Sequence, residues 1–160
     1  MHRILHLLPT FALLVAGCLS MHTADLNTDN PEERAQIQRR LKDVFDAAEK
    51  KDLKRLDGYH FYGSKFTKFA AEQPGRLDAD AARKGEHDGL GAINDLSMQA
   101  EGLKIDVFRD VGITTFVLRY SFKSGTDRIE KNARATLVFV KDRGAWKIVH
   151  EHFSAFKPNP

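Results

Sequence analysis

The sequence predicts an α+β domain in which N-terminal helices are packed in a strongly curved antiparallel sheet. Three observations predict it. Apolar residues recur at helical spacing in the first half, then alternate with polar ones from Leu103 onward. The alternating runs are joined by short, glycine-bearing turns. Helices followed by closely connected strands give an α+β order, a meander curled around the helices. The chain has 160 residues, 42% of them hydrophobic and 29% charged, which fits one soluble domain plus an N-terminal extension. Its net charge of +3 is spread without a run of like charge, so neither a nucleic-acid surface nor a basic membrane patch is expected.

Met1, His2 and Arg3 precede residues 4–19, an almost wholly apolar run interrupted by His6 and Pro9. A membrane-spanning helix needs about 20 such residues, so the run suits the hydrophobic region of a signal peptide. Val15, Ala16, Gly17 and Cys18 end it and resemble a bacterial lipobox. That resemblance implies a signal peptide over residues 1–17 and a diacylglycerol on the Cys18 thiol. Leu19 follows in place of the aspartate that would favour inner-membrane retention. The alternative is an ordinary secretory signal with an incidental cysteine. Either way a lone cysteine excludes a disulfide within the chain. Residues 18–30 read as the lipidated cysteine and a polar linker.

Asn30, Pro31 and Glu33 mark a helix start, with Asn30 as cap, Pro31 in the first turn and Glu33 completing a capping box. Ile37, Leu41, Val44, Phe45 and Ala48 form its apolar stripe. A short helix is expected from Asp52, ending near Gly58. Residues 59–69 are aromatic-rich, with Lys65 and Lys68 interleaved. They are read as closing one end of the core while the lysines snorkel, in preference to stacking on nucleic acid. Gln73, Pro74 and Gly75 form a turn, and Asp78 caps a helix running toward Glu86.

Leu103, Ile105 and Val107 open the first strand, and Asp110, Val111 and Gly112 turn the chain. Thr114, Phe116, Leu118, Tyr120 and Phe122 share one face of the second strand. Ala135, Leu137 and Phe139 share one face of the third. Asp142, Arg143 and Gly144 make the last hairpin turn. Strict alternation over residues 146–153 then places Trp146, Ile148, His150 and His152 together, opposite Lys147, Val149, Glu151 and Phe153. Two imidazoles beside a tryptophan suggest the wall of a half-polar cavity.

Residues 133–140 (ARATLVFV) and 144–154 (GAWKIVHEHFS) resemble the SnoaL-like branch of the nuclear transport factor two-like superfamily. Their Trp-x-x-Val-His-x-His-x-Ser pattern is also similar to the association domain of calmodulin-dependent kinase. The resemblance covers residues 31–157. It implies a cystatin-like cone with a pocket at its open end and a homodimer formed through the outer sheet face. It does not imply one function, because the superfamily includes isomerases, cyclases, dehydratases, assembly domains and binders.

Three functions follow as expectations. The first is a lipid-anchored protein of the bacterial envelope, on the periplasmic side of the outer membrane, that binds a small, mainly apolar molecule. The second is an acid–base enzyme using His150 or His152. The third is a dimeric assembly module. Trp146, Tyr62, Tyr120, Glu86 and Phe116 are the candidate ligand-binding residues. A His-x-His metal site would need a third ligand such as Glu86, His87 or Asp88, which nothing in the spacing supplies, so no metal and no cofactor are expected. No phosphate loop, nucleophile elbow or dinucleotide fingerprint is present.

Overall fold

The computed structural model describes residues 28–71 and 73–157. The leader, Cys18 and the linker as far as Asn27 lie outside the described residues. The elements run α1 (Pro31–Glu49), α2 (Leu53–Tyr59), β1 (Thr67–Phe69), α3 (Ala79–Ala92), β2 (Asn94–Phe108), β3 (Val111–Ser124), β4 (Asp127–Asp142) and β5 (Ala145–Ala155).

Pro31 opens α1, and Ile37, Leu41, Val44, Ala47 and Ala48 bury its inner face. The expected capping box does not form. Asn30 makes no side-chain cap and donates from Nδ2 to the Thr28 carbonyl oxygen at 3.1 Å. Glu33 is drawn away, because its oxygens accept from Lys141 Nζ at 2.6 Å and from Trp146 Nε1 at 3.0 Å. The other two helices are capped by aspartates. Asp52 accepts from the Arg55 amide at 3.1 Å and Asp78 from the Ala81 amide at 2.9 Å. Helix α3 continues past Glu86 to Ala92 through Gly89 and Gly91, and only Ala82 of its residues is fully buried.

The strands form one sheet in the order β1-β5-β4-β3-β2, with β1 parallel to β5 and the remaining pairs antiparallel. Two features depart from the expected meander. Strand β1 is additional, and its three residues are too few to display a period. Strand β2 begins at Asn94, well before Leu103. Its first half turns Leu96, Met98 and Ala100 inward. A register shift between Glu101 and Lys104, with Gly102 at φ +62°, then brings Leu103, Ile105 and Val107 inward.

Gly112 belongs to β3 and not to the turn, which lies at Arg109 and Asp110. A Cβ at Gly112 would stand 2.3 Å from Ile37 Cδ1, so glycine there lets α1 approach the sheet. Ile37 and Leu41 of α1 share one buried cluster with Leu118, Leu137, Phe139 and Ile148 of the concave face.

The decisive irregularity lies in β5. Ile148 pairs with Phe139 and His150 pairs with Val138, leaving Val149 as an extra residue. Side chains keep to one face only while the alternation is unbroken, so this bulge inverts the phase of everything after it. Trp146 and Ile148 point inward, and then Glu151 and Phe153 do. His150 and His152 point outward.

Candidate functional site

A cavity of about 450 Å³ opens between α1, α3 and the concave face of the sheet. Its walls are apolar, including Phe45, Leu90, Leu96, Met98, Leu118 and Phe153. Tyr120 and Lys131 also line it, and of its ionisable side chains His60, Lys68, Glu86 and Glu151 form the polar end. Each is placed by a different element. His60 is the residue that ends α2. Lys68 sits on β1, where parallel pairing sets it opposite Glu151 on β5. Glu86 comes from the third turn of α3, so that helix is needed to complete the group.

The contacts define protonation. His60 Nδ1 lies 3.0 Å from the Leu56 carbonyl oxygen, and its Nε2 lies 3.3 Å from Glu151 Oε1. A carbonyl and a carboxylate are both acceptors, so this geometry calls for a proton on each ring nitrogen, the imidazolium form. Lys68 Nζ stands 2.8 Å from Glu151 Oε2, outside hydrogen-bonding alignment, so charge more than a directed bond holds that pair. Lys68 also forms a close ion pair with Glu86 Oε1. The Tyr62 hydroxyl donates to Glu86 Oε2 at 2.8 Å. The Tyr62 ring stacks on His60, with centroids 4.9 Å apart and planes 7° from parallel.

Burial and charge pull the four groups in different directions. Burial alone would raise Glu151, yet Lys68 and His60 outweigh it and hold this carboxyl well below its usual value. Burial would lower His60, but the neighbouring Glu151 carboxylate lifts it above 6.5. Lys68 is likewise pushed down by burial and carried above its ordinary value by Glu151 and Glu86. It is therefore an ammonium, a donor and not a nucleophilic amine. Glu86 is raised, first by burial and then by Glu151, with Lys68 and His60 offsetting only part. Burial followed by the Glu86 charge raises the Tyr62 phenol.

Desolvating such groups costs several kcal/mol per ion, and their mutual attraction returns about that much only with good geometry. An apolar core of the same volume would be at least as stable. Strongly shifted groups at the end of an apolar cavity therefore mark a candidate functional site.

Among the described residues, His60, Glu86 and Glu151 are the group whose ligand atoms approach closely enough for a metal, all within 4.8 Å of one another. The Lys68 ammonium contacts both carboxylates of that group. A metal ion would have to displace it, so the donor set suits the lysine better than an added cation.

The residues expected from sequence are divided by this arrangement. Glu86 and Tyr120 line the cavity, and Tyr62 reaches it through its bond to Glu86. Phe116 is a core residue packed edge-on against Phe45, with centroids 6.1 Å apart. Trp146 borders a separate hollow beside Arg39, Arg40 and Gly144. His150 and His152 do not share a face with the cavity. Thr67 Oγ1 meets His150 Nδ1 at 2.7 Å on the outer side, and the Phe69 ring lies against both imidazoles. The bulge at Val149 is the physical reason, and it also separates the His pair from Glu86, one of the residues a metal site there would have needed.

Three members of the polar group were missed: His60, Lys68 and Glu151. One signal for Lys68 was available, since it alternates with the buried Phe66. Nothing local marks Glu151, which strict alternation assigns to the wrong face.

A family model described as a SnoaL-like domain matches residues 37–158. No curated protein matches the chain. Among solved structures, a Streptomyces avermitilis protein of the nuclear transport factor 2-like family, provisionally named a dehydratase, superposes with a TM-score of 0.73 at 14% identity, covering 79% of this chain and 97% of its own. A family member of unknown function from Pseudomonas putida gives 0.70 at 18%, covering 82% and 93%. A cystatin-like protein from Caulobacter vibrioides gives 0.66 at 15%, covering 79% and 92%. At these identities the likeness is one of fold.

Proposed function

The chain belongs to the SnoaL-like domain family, and from that premise we propose that it binds a small, mainly apolar molecule in the cone pocket. The carrying observation is the apolar cavity of about 450 Å³ closed at one end by His60, Lys68, Glu86 and Glu151. Such a cavity takes a ligand with an apolar body and one polar end. No cofactor enters the proposal. The test is native mass spectrometry of the full chain purified from its own host. A small molecule should be retained by the wild type and by the His150→Ala, His152→Ala double variant, and lost when Met98→Trp fills the cavity. A wild-type chain that is consistently empty overturns the reading.

A second reading, proton-transfer catalysis, is favoured by one observation: Glu86 is a buried carboxyl of raised pKa at the cavity, hydrogen-bonded to Tyr62. His150 and His152 have no part in it, because they lie on the outer face.

The placement of the protein is proposed from sequence. The lipobox-like ending of the leader supports a lipid anchor at Cys18 and a position in the bacterial envelope, on the periplasmic side of the outer membrane. A homodimer through the sheet is proposed on the apolar character of the outer face, where Ile113 pairs with Val138 and Val111 with Val140. Sedimentation equilibrium of Val138→Glu against wild type checks it, and a monomeric wild type sinks it.

A further inference from the structure

The polar end of the cavity can be read for the chemistry it still offers. Both His60 nitrogens are engaged, by Leu56 and Glu151. The Tyr62 proton is engaged by Glu86. Each oxygen of Glu86 already accepts one bond, from Tyr62 and from Lys68. Glu151 Oε2 is fully covered. Lys68 differs. An ammonium carries three protons; Glu86 takes one, and Glu151 stands within ion-pair distance. Lys68 Nζ also stands 5.4 Å from the centroid of the Phe153 ring. Lys68 and Phe153 both line the cavity.

Charge narrows the choice further. The group holds two cations and two carboxylates within contact distance. A ligand carboxylate would enter beside Glu86 and Glu151, and a ligand ammonium beside Lys68 and His60. Either adds a charge that this buried group does not compensate, Lys131 being the further charged residue of the cavity lining. A neutral oxygen takes a remaining lysine proton and leaves the balance intact.

We propose that the ligand's polar end is a neutral hydrogen-bond acceptor, a carbonyl-type oxygen seated on Lys68 Nζ, and neither a carboxylate nor an amine. The inference rests on the ligand-binding reading and specifies its chemistry. Because either ion brings a charge the group does not balance, the preference for the neutral acceptor should be about tenfold or more.

The test is calorimetric titration of the full chain with 2-decanone, decanoate and decylamine, which share a chain length and differ in the head group. The expected result is a ketone affinity at least about tenfold above either ion. Tighter binding of decanoate or decylamine overturns the inference and leaves the pocket reading standing. So does binding of none of the three by a chain that retains its own host-derived molecule. A chain that is empty and takes none fails both. Lys68→Met should abolish the preference, but it leaves two buried carboxylates without their lysine, which weakens the fold. A measurement on the wild type therefore accompanies it, the infrared carbonyl stretch of bound 2-decanone labelled with carbon-13. A stretch lowered from its value in hexane is expected, and one unchanged from hexane overturns the proposal.

Discussion

His60 Nε2 and Glu151 Oε1 meet 3.3 Å apart although 91 residues separate them in the chain. Two irregular features bring them together. Helix α2 ends at Tyr59, leaving His60 extended and bridged to Ile148, and the bulge at Val149 turns Glu151 inward. The consequences can be measured.

Stability should peak in mildly acidic solution. The Glu151 carboxyl lies below its ordinary 4.5 in the fold, so its contribution is present above 4.5 and is lost as pH falls through the folded value. His60 lies above its ordinary 6.5, so its contribution is present below 6.5 and is lost as pH rises through the folded value. Glu86, also raised, loses its contribution in the same direction as His60. Urea midpoints should therefore be highest between about 4.5 and 6.5 and fall on both sides. A midpoint that climbs steadily into alkaline solution would show that the pair does not form.

Glu151→Ala should destabilise the fold by about 3–5 kcal/mol, because it leaves His60 and Lys68 buried with one carboxylate between them. Adding His60→Phe should recover part of that loss by removing the stranded cation. Denaturant titration of the single and double variants reads this. Additive losses would show the two residues to be independent.

Two glycines should respond in opposite senses to alanine. At Gly112 the new methyl would stand 2.3 Å from Ile37 Cδ1, and Ile37 is fully buried, so Gly112→Ala should cost about 1–3 kcal/mol. At Gly85, inside α3, a Cβ meets nothing within 4 Å, so Gly85→Ala should stabilise by about 0.5–1 kcal/mol. Thermal unfolding of both variants checks the pair, and a neutral Gly112→Ala would contradict the close approach of α1.

Trp146→Phe should cost about 1 kcal/mol through loss of the bond to Glu33, with no change in the molecule the pocket retains. Ligand loss in this variant would place Trp146 at the pocket after all. Denaturant unfolding and native mass spectrometry separate the two effects.

Metabolic labelling with palmitate in a bacterial host should mark the wild-type chain and fail to mark Cys18→Ser. Label persisting in the variant would remove the lipobox assignment.

Much of this architecture was legible in the residues themselves. The α1 stripe, the Asp78 cap of α3, the inward alternation of β3 and β4 and the C-terminal pattern together specify an α+β cone of the SnoaL-like kind. Each depends on neighbours within a few positions, which is what periodicity and capping report. The tertiary structure decided the site. Whether Glu151 or His150 faces the cavity depends on one extra residue in β5, and Val149 carries no turn chemistry that announces a bulge. Lys68 becomes a buried ammonium only because three residues of β1 pair in parallel with a strand more than 80 positions later. Glu86 joins it only because α3 packs against β1. Glu33 left its capping box for Trp146 and Lys141 for the same reason: partners distant in sequence outcompete local ones once the chain has closed.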